Sequence, residues 1–280
     1  MIKIFKNANL KLLSTFKIGG KARFFCEVKN DKELLNAIDS AKKLKVPYKI
    51  IAGGSNVVFP DKILNCLLIK IADKDMKMAG NRIIAGAGAD LSSIIKMAIN
   101  NGLAGLESLS GIPGTLGGAI VGNAGAYGHS ISEAVEKVEI LKPFDAAPAE
   151  GEARQGRQGK EKKWILNKNC QFHYRESIFK KKPWIALRAV LKFSAGGESA
   201  FGGKKADPKK LQKISRDIIK IRLKKYKPGL RCPGSFFKNV LIETTPKKSL
   251  NLIDKNKIID GKIPAGYLLE QVGAKGMRVG

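Results

Sequence analysis

Apolar and polar residues alternate along this chain in short stretches, and glycine clusters separate them. Residues 22–28, behind Gly19-Gly20, are aromatic and apolar and predict a strand. Leu34, Leu35, Ile38, Ala41 and Leu44 recur at helical spacing, so a helix is expected over 31–46 with Asp31 as its N-cap. Residues 48–52 (YKIIA) predict a strand running into Gly53-Gly54-Ser55-Asn56. Residues 63–71 and 82–86 read as further strands, followed by a helix over 90–100 with Leu91, Ile94, Ile95 and Ala98 on one face. Strands are expected over 134–141 and 184–193. A basic helix is expected over 208–224, with Leu211, Ile214, Ile218 and Ile221 on its apolar side.

Three stretches break the alternation. Residues 145–163 hold Gly, Gln and charge with few apolar side chains, and predict a solvated loop. Residues 194–208 are Gly- and Ser-rich and are expected to mark a domain boundary. Residues 105–128, GLESLSGIPGTLGGAIVGNAGAYG, are dense in glycine and carry one charge, Glu107. An ordinary amphipathic helix is not expected there, because each interior glycine costs about 1 kcal/mol against alanine. Glycine at this density permits close backbone approach and positive φ. It suits either a buried turn or a cradle of N–H groups around a flat or phosphorylated ligand. The strand–glycine–Ser/Asn sequence at 48–56 presents N–H groups in the same way, without a GxGxxG or a GK[ST] signature.

Composition narrows the classes. The 280 residues suffice for two domains or one large one. No apolar run approaches the roughly 20 residues of a membrane span. The N-terminus shows no signal-peptide pattern, so a cytoplasmic protein is expected. Cys26, Cys66, Cys170 and Cys232 form no CxxC pair and only two histidines are present, so free thiols are expected and no metal site. The 52 basic residues against 24 acidic ones give a net charge of +28. That charge alone points to a polyanion. The lysines are spread along the whole chain, however, and no helix-turn-helix, zinc-finger or RNP motif is present, so no specific nucleic-acid partner is expected.

Two side chains stand out as chemistry. Arg175, after Tyr174, is either a guanidinium fork for a carboxylate or phosphate or one half of a surface ion pair with Glu176. Ser235, in GSFFKN (234–239), is either a hydroxyl held in an apolar pocket or an incidental residue at a strand start. No GxSxG elbow accompanies it, which weighs against a hydrolase.

GGSN (53–56), SGIPGTLGGAIVGNAGAYG (110–128), YRESIFK (174–180), GSFFKN (234–239) and AGYLLEQVGAKGMRVG (265–280) occur in one order. Together they resemble the UDP-N-acetylenolpyruvoylglucosamine reductase family, over most of the chain. The short span between YRES and GSFFKN matches the subtype without an extra tyrosine loop. The resemblance implies an α+β fold: a vanillyl-alcohol-oxidase-type (PCMH-type) FAD-binding domain in two subdomains, 1–75 and 76–195, and a C-terminal substrate domain, 208–280. It implies FAD and NADPH as cofactors, and a UDP-sugar enolpyruvyl ether as substrate. Gly53, Gly54, Ser55, Asn56 and Val57 would hold the FAD pyrophosphate. Ser110, Gly111, Ile112, Pro113, Gly114, Thr115, Gly118, Ala119, Asn123, Ala124 and Gly125 would line the flavin. Arg175 would stabilise an enolate and Ser235 would protonate it, with Tyr174, Lys224, Asn239 and Gln271 contacting substrate. No membrane partner and a monomer are expected.

The family continues past the GMRVG motif and carries a catalytic Glu there. The chain is therefore expected to be C-terminally truncated, and Glu270, beside Gln271, is not that residue. The alternatives are a catalytically impaired flavin-binding remnant of the same enzyme, a flavin oxidase acting on an alcohol or hydroxy acid, and a basic nucleic-acid-binding protein.

Overall fold

The computed structural model describes residues 2–143, 161–193, 206–226 and 229–277. The chain forms two compact units, Met1–Pro233 and Gly234–Gly280.

The first unit opens with β1 (Phe5–Asn9) and β2 (Lys21–Val28), then α1 (Asp31–Lys43), β3 (Tyr48–Ile51) and β4 (Leu64–Ile71). These strands form a sheet in the order β1-β2-β4-β3, with β2, β4 and β3 parallel and β1 antiparallel at the edge. Both faces of β4 are buried: Leu67, Ile69 and Ile71 face Leu34, Ile38 and Ala41 of α1, and Cys66 and Leu68 pack with Leu10 and Phe59. A near-continuous apolar run is what a strand covered on two sides requires. Asn30, not Asp31, caps α1, its side chain accepting from the Glu33 N–H at 2.9 Å. Asp31 is turned to pair with Arg188 and Lys162 instead.

The chain then runs through β5 (Met76–Ala79), β6 (Arg82–Gly86), α2 (Leu91–Asn100), α3 (Leu116–Gly122), a two-strand hairpin β7 (Gly125–Ala126) and β8 (His129–Ser130), β9 (Val135–Lys142), β10 (Glu161–Leu166), α4 (Ile178–Lys181), β11 (Ile185–Lys192) and α5 (Pro208–Lys225). A second sheet, antiparallel throughout, has the order β10-β9-β11-β6-β5. Its buried side chains share one core with α2, α3 and Leu211 of α5. Ala87, Leu141, Ile185 and Leu187 meanwhile join the cluster under the first sheet. Charge joins the two sheets as well: Arg188 of β11 contacts Asp31 of α1 at 3.0 Å and Glu139 of β9 at 3.1 Å, and Lys162 of β10 contacts Asp31 at 2.8 Å.

Several expectations are corrected here. Residues 144–160 lie outside the described residues, but Glu161, Lys162 and Lys163, taken from composition as loop, are the start of β10. Pairing with Ile140–Lys142 of β9 and the Lys162 ion pairs outweigh their polarity. Most of the 194–208 stretch lies outside the described residues too. The helix after it, expected to open the last domain, packs on the first unit, with Leu211 3% exposed and the Ser215 hydroxyl 2.8 Å from that of Ser110. The glycine stretch contains a seven-residue helix, α3, after all. Gly117 makes it possible: a Cβ there would stand 2.9 Å from that of Ala87, so only glycine lets the helix lie this close to the loop after β6.

The second unit holds β12 (Val240–Leu241), α6 (Lys247–Leu250), β13 (Lys262–Ile263) and α7 (Ala265–Gln271). β12 and β13 pair antiparallel. Ile263 is its one fully buried apolar side chain among the described residues. Among the described residues no helix is long and apolar enough to cross a membrane, and no cluster suited to a metal is present.

Candidate active site

Two glycine-rich loops from different layers of the first unit meet. The first follows β3 and carries Gly53 to Asn56; the second carries Pro113 to Thr115 into α3. The Ser55 hydroxyl donates to the Pro113 carbonyl at 3.0 Å. A Cβ on Gly53 would lie 3.4 Å from the Gly114 Cα and from the Thr115 methyl, and one on Gly118 would lie 3.4 Å from the Ala52 Cβ. Gly54 (φ 68°) and Gly114 (φ 125°) have backbone that side chains resist. A Cβ on Gly54 would overlap the Leu13 carbonyl, and one on Gly114 would stand 2.8 Å from the Ser55 hydroxyl. Thr15 pins the first loop from behind, its N–H donating to the Gly54 carbonyl and its hydroxyl to that of Ser55.

This junction leaves donors unspent. Among the described residues, the N–H groups of Gly53, Gly54, Ser55 and Asn56 make no internal hydrogen bond. The Thr115 hydroxyl is buried without a partner. Four successive N–H groups without internal partners suit an acceptor-rich ligand. The glycine pattern of the sequence marks these stretches. It carries no mark of the support behind them: Ser110, 2% exposed, is held to Ser215 of α5, and the Gly111 turn backs on Ile219 and Arg222. Val57 and Ile112 are partly buried against the two cores, and Ala119 is buried.

The far end of the glycine stretch is tied to the YRES segment. Arg175 sits in a turn closed by the His173–Glu176 bridge. Its Nη2 donates to the Gly125 carbonyl at 2.7 Å and its Nη1 to that of Asn123 at 3.3 Å. Its guanidinium lies 5.5 Å from the centre of its neighbour's ring, Tyr174. Glu176 is within 3.9 Å of Lys180. Asn123 caps α3 in left-handed backbone, and its side chain is turned to the His173 carbonyl and the Ser132 N–H. Ala124 donates to the Ala119 carbonyl, and Gly125 pairs with Ser130 across the hairpin. Ser177 was given no role from sequence. It is fully buried and donates to the Val121 carbonyl at 2.8 Å, locking the YRES turn to α3. A hydroxyl two positions after Arg175 was the only sequence signal for it.

Lys224 is exposed on the last turn of α5. The remaining candidates belong to the second unit. Asn239 accepts the Ala265 N–H at 3.2 Å, fixing the start of α7, and Gln271 ends that helix exposed. Ser235 is exposed, and among the described residues of its own unit no apolar pocket encloses it: Phe236 and Phe237 are 73% and 56% exposed and meet each other edge-on at 5.2 Å. The unit buries too little apolar surface to enclose them.

A mostly parallel layer and an antiparallel sheet, meeting at a glycine-lined cradle of free N–H groups, have the architecture of an FAD-binding domain. Consistently, residues 22–144 match the FAD binding domain family. The chain is 39% identical over 272 residues, 97% of its length, to the UDP-N-acetylenolpyruvoylglucosamine reductase of Solibacter usitatus, of which it covers 79%. It is 33% identical to the enzyme of that name from a Synechococcus strain, over 96% of this chain and 72% of the relative. The crystal structure of the Thermus caldophilus UDP-N-acetylenolpyruvylglucosamine reductase superposes with a TM-score of 0.69 at 25% identity, covering 100% of this chain and 83% of that one. The chain belongs to the UDP-N-acetylenolpyruvoylglucosamine reductase family. FAD fits the cradle on this structure's own terms, since a diphosphate supplies the acceptors that the Gly53–Asn56 N–H groups lack.

Proposed function

We propose that this chain reduces the enolpyruvyl ether of UDP-N-acetylglucosamine enolpyruvate to UDP-N-acetylmuramate, a step of peptidoglycan precursor synthesis, with NADPH as the electron source. Bound FAD, reduced by NADPH, supplies the hydride. Gly53, Gly54, Ser55 and Asn56 hold the pyrophosphate through backbone donors, with Val57 behind them, and Gly114, Thr115 and Gly118 let the ring system approach the backbone. Hydride reaches the methylene carbon of the substrate, and negative charge builds on the adjacent carbon and its carboxylate. Arg175 stabilises that charge, as a preoriented cation in a poorly solvated site does. Ser235 delivers the proton to the carbon beside the carboxylate; an enolate is basic enough to take it from a hydroxyl within hydrogen-bond reach. Tyr174, Lys224, Asn239 and Gln271 hold the UDP-sugar. The protein acts as a cytoplasmic monomer on this small molecule, with no nucleic-acid or membrane partner.

The observation that carries this reading is Arg175, whose guanidinium is fixed against the same glycine stretch that forms the cradle. A cation placed there has an anionic group to meet. The test is NADPH consumption by the purified, FAD-loaded protein with and without the enolpyruvyl substrate. Consumption that depends on the substrate is expected. A yellow protein that oxidises NADPH no faster with substrate than without overturns the reading.

A further inference from the structure

Asn123 and Arg175 are both held in left-handed backbone, with φ of 40° and 58°. Asparagine is at home there, closing a helix; arginine is not. Such backbone in a bulky residue persists only where its surroundings fix it, and Arg175 is fixed from several sides. Lys180 donates to its carbonyl at 2.5 Å. Ser177 anchors the same turn to the Val121 carbonyl. The remaining constraint is reciprocal. The Asn123 side-chain Nδ2 donates to the His173 carbonyl at 2.9 Å, two residues before Arg175. Arg175 in turn donates through Nη1 to the Asn123 carbonyl, and through Nη2 to that of Gly125, two residues after Asn123. Asn123 is 6% exposed, and its Oδ1 accepts from the Ser132 N–H at 3.4 Å. Its side chain is therefore spent on the protein.

We propose that Asn123 is a positioning residue for Arg175: its amide fixes the backbone that carries the arginine, and its own carbonyl, with that of Gly125, sets the plane of the guanidinium. Two of the fork's nitrogens are thereby aimed before substrate arrives. The fork's other N–H groups make no hydrogen bond to the protein among the described residues and remain for a carboxylate. Preorientation matters because a donor that must swing into place during reaction loses much of its stabilising effect. The proposal rests on the reading of Arg175 as the group that meets the developing negative charge.

A double-mutant cycle on FAD-saturated protein tests it. Asn123→Gly keeps the left-handed backbone without strain and deletes both side-chain hydrogen bonds. Asn123→Asp keeps the shape, replaces the amide donor by an acceptor that cannot bond the His173 carbonyl, and adds a negative charge. Either change is expected to lower kcat for substrate-dependent NADPH oxidation roughly tenfold, with a smaller effect on KM. In an Arg175→Ala background the same changes are expected to cost nothing further, because the residue they position is gone. Equal losses in both backgrounds overturn the positioning role and leave Asn123 a helix cap. Arg175→Ala with full turnover overturns the reading of the reaction, and the proposal with it.

Discussion

The Ser55 hydroxyl donates to the Pro113 carbonyl across 58 residues of sequence, joining the two glycine loops into one cradle. Glycine at 114 permits this separation, since its backbone faces Ser55 where a side chain would stand. Gly114→Ala places a Cβ 2.8 Å from the Ser55 hydroxyl on backbone with φ of 125°. It is expected to weaken FAD binding about tenfold or more, equivalent to about 1.4 kcal/mol. Gly54→Ala is expected to do the same or worse. Titration of the apoprotein by quenching of flavin fluorescence measures both, and an unchanged Kd would contradict the cradle.

Ser235→Ala removes the proposed proton donor and no backbone group. It is expected to retain FAD and to lose product formation by about a hundredfold or more. Product formation at the wild-type rate would take Ser235 out of the reaction, a real test for a side chain that is exposed within its own unit.

Burial pushes the Asp73 carboxyl above its ordinary value of 3.8, reinforced by the charges of Asp75 and Asp31 against the Asp75 N–H and Arg188. The folded protein thus holds this proton more tightly than the unfolded chain. The contribution of Asp73 to stability is complete below 3.8 and is lost as pH rises through its folded value. Asp73→Asn keeps an acceptor for the Asp75 N–H, which now bonds to Asp73 at 3.1 Å. It is expected to raise the Tm at about pH 8 and to leave it unaltered at about pH 3. A Tm gain that grows on acidification would contradict the assignment.

Burial raises the thiols of Cys26 to about 11 and of Cys170 to about 12, and raises that of Cys66 as well. Cys232 is half-buried. Because the thiolate is the reactive form, iodoacetamide at about pH 8 is expected to label Cys232 in the native protein and the other three only after unfolding. Peptide mapping reads the order directly, and early labelling of Cys26 or Cys170 would contradict the buried placement.

Much of the fold was legible where one period governed a segment. The near-continuous apolar runs of 63–71 and 184–193, the apolar stripe of α1 and the face of α2 each mark a single burial pattern, and each element lies where that pattern put it. β1 and β5 were not foreseen: they are edge strands with exposed residues, FKNAN and MKMA, and partners rather than periodicity define them. The start of β10 was hidden for the same reason. The residue types of the cradle were readable from glycine density, because few other residues tolerate that backbone. Its supports were not. The side chains of Thr15, Ser177 and Ser215 reach partners 40, 56 and 105 positions away, and one polar side chain in a sequence carries no mark of such a partner.

The most direct test of the account is the product made by the FAD-loaded protein from NADPH and UDP-N-acetylglucosamine enolpyruvate in deuterated water. The account predicts a product heavier than the substrate by one hydrogen and one deuterium, the deuterium on the carbon beside the carboxylate and the hydrogen from NADPH on the neighbouring carbon. Deuterium at the terminal carbon alone, or NADPH oxidation with the enolpyruvyl group returned unchanged, would contradict it.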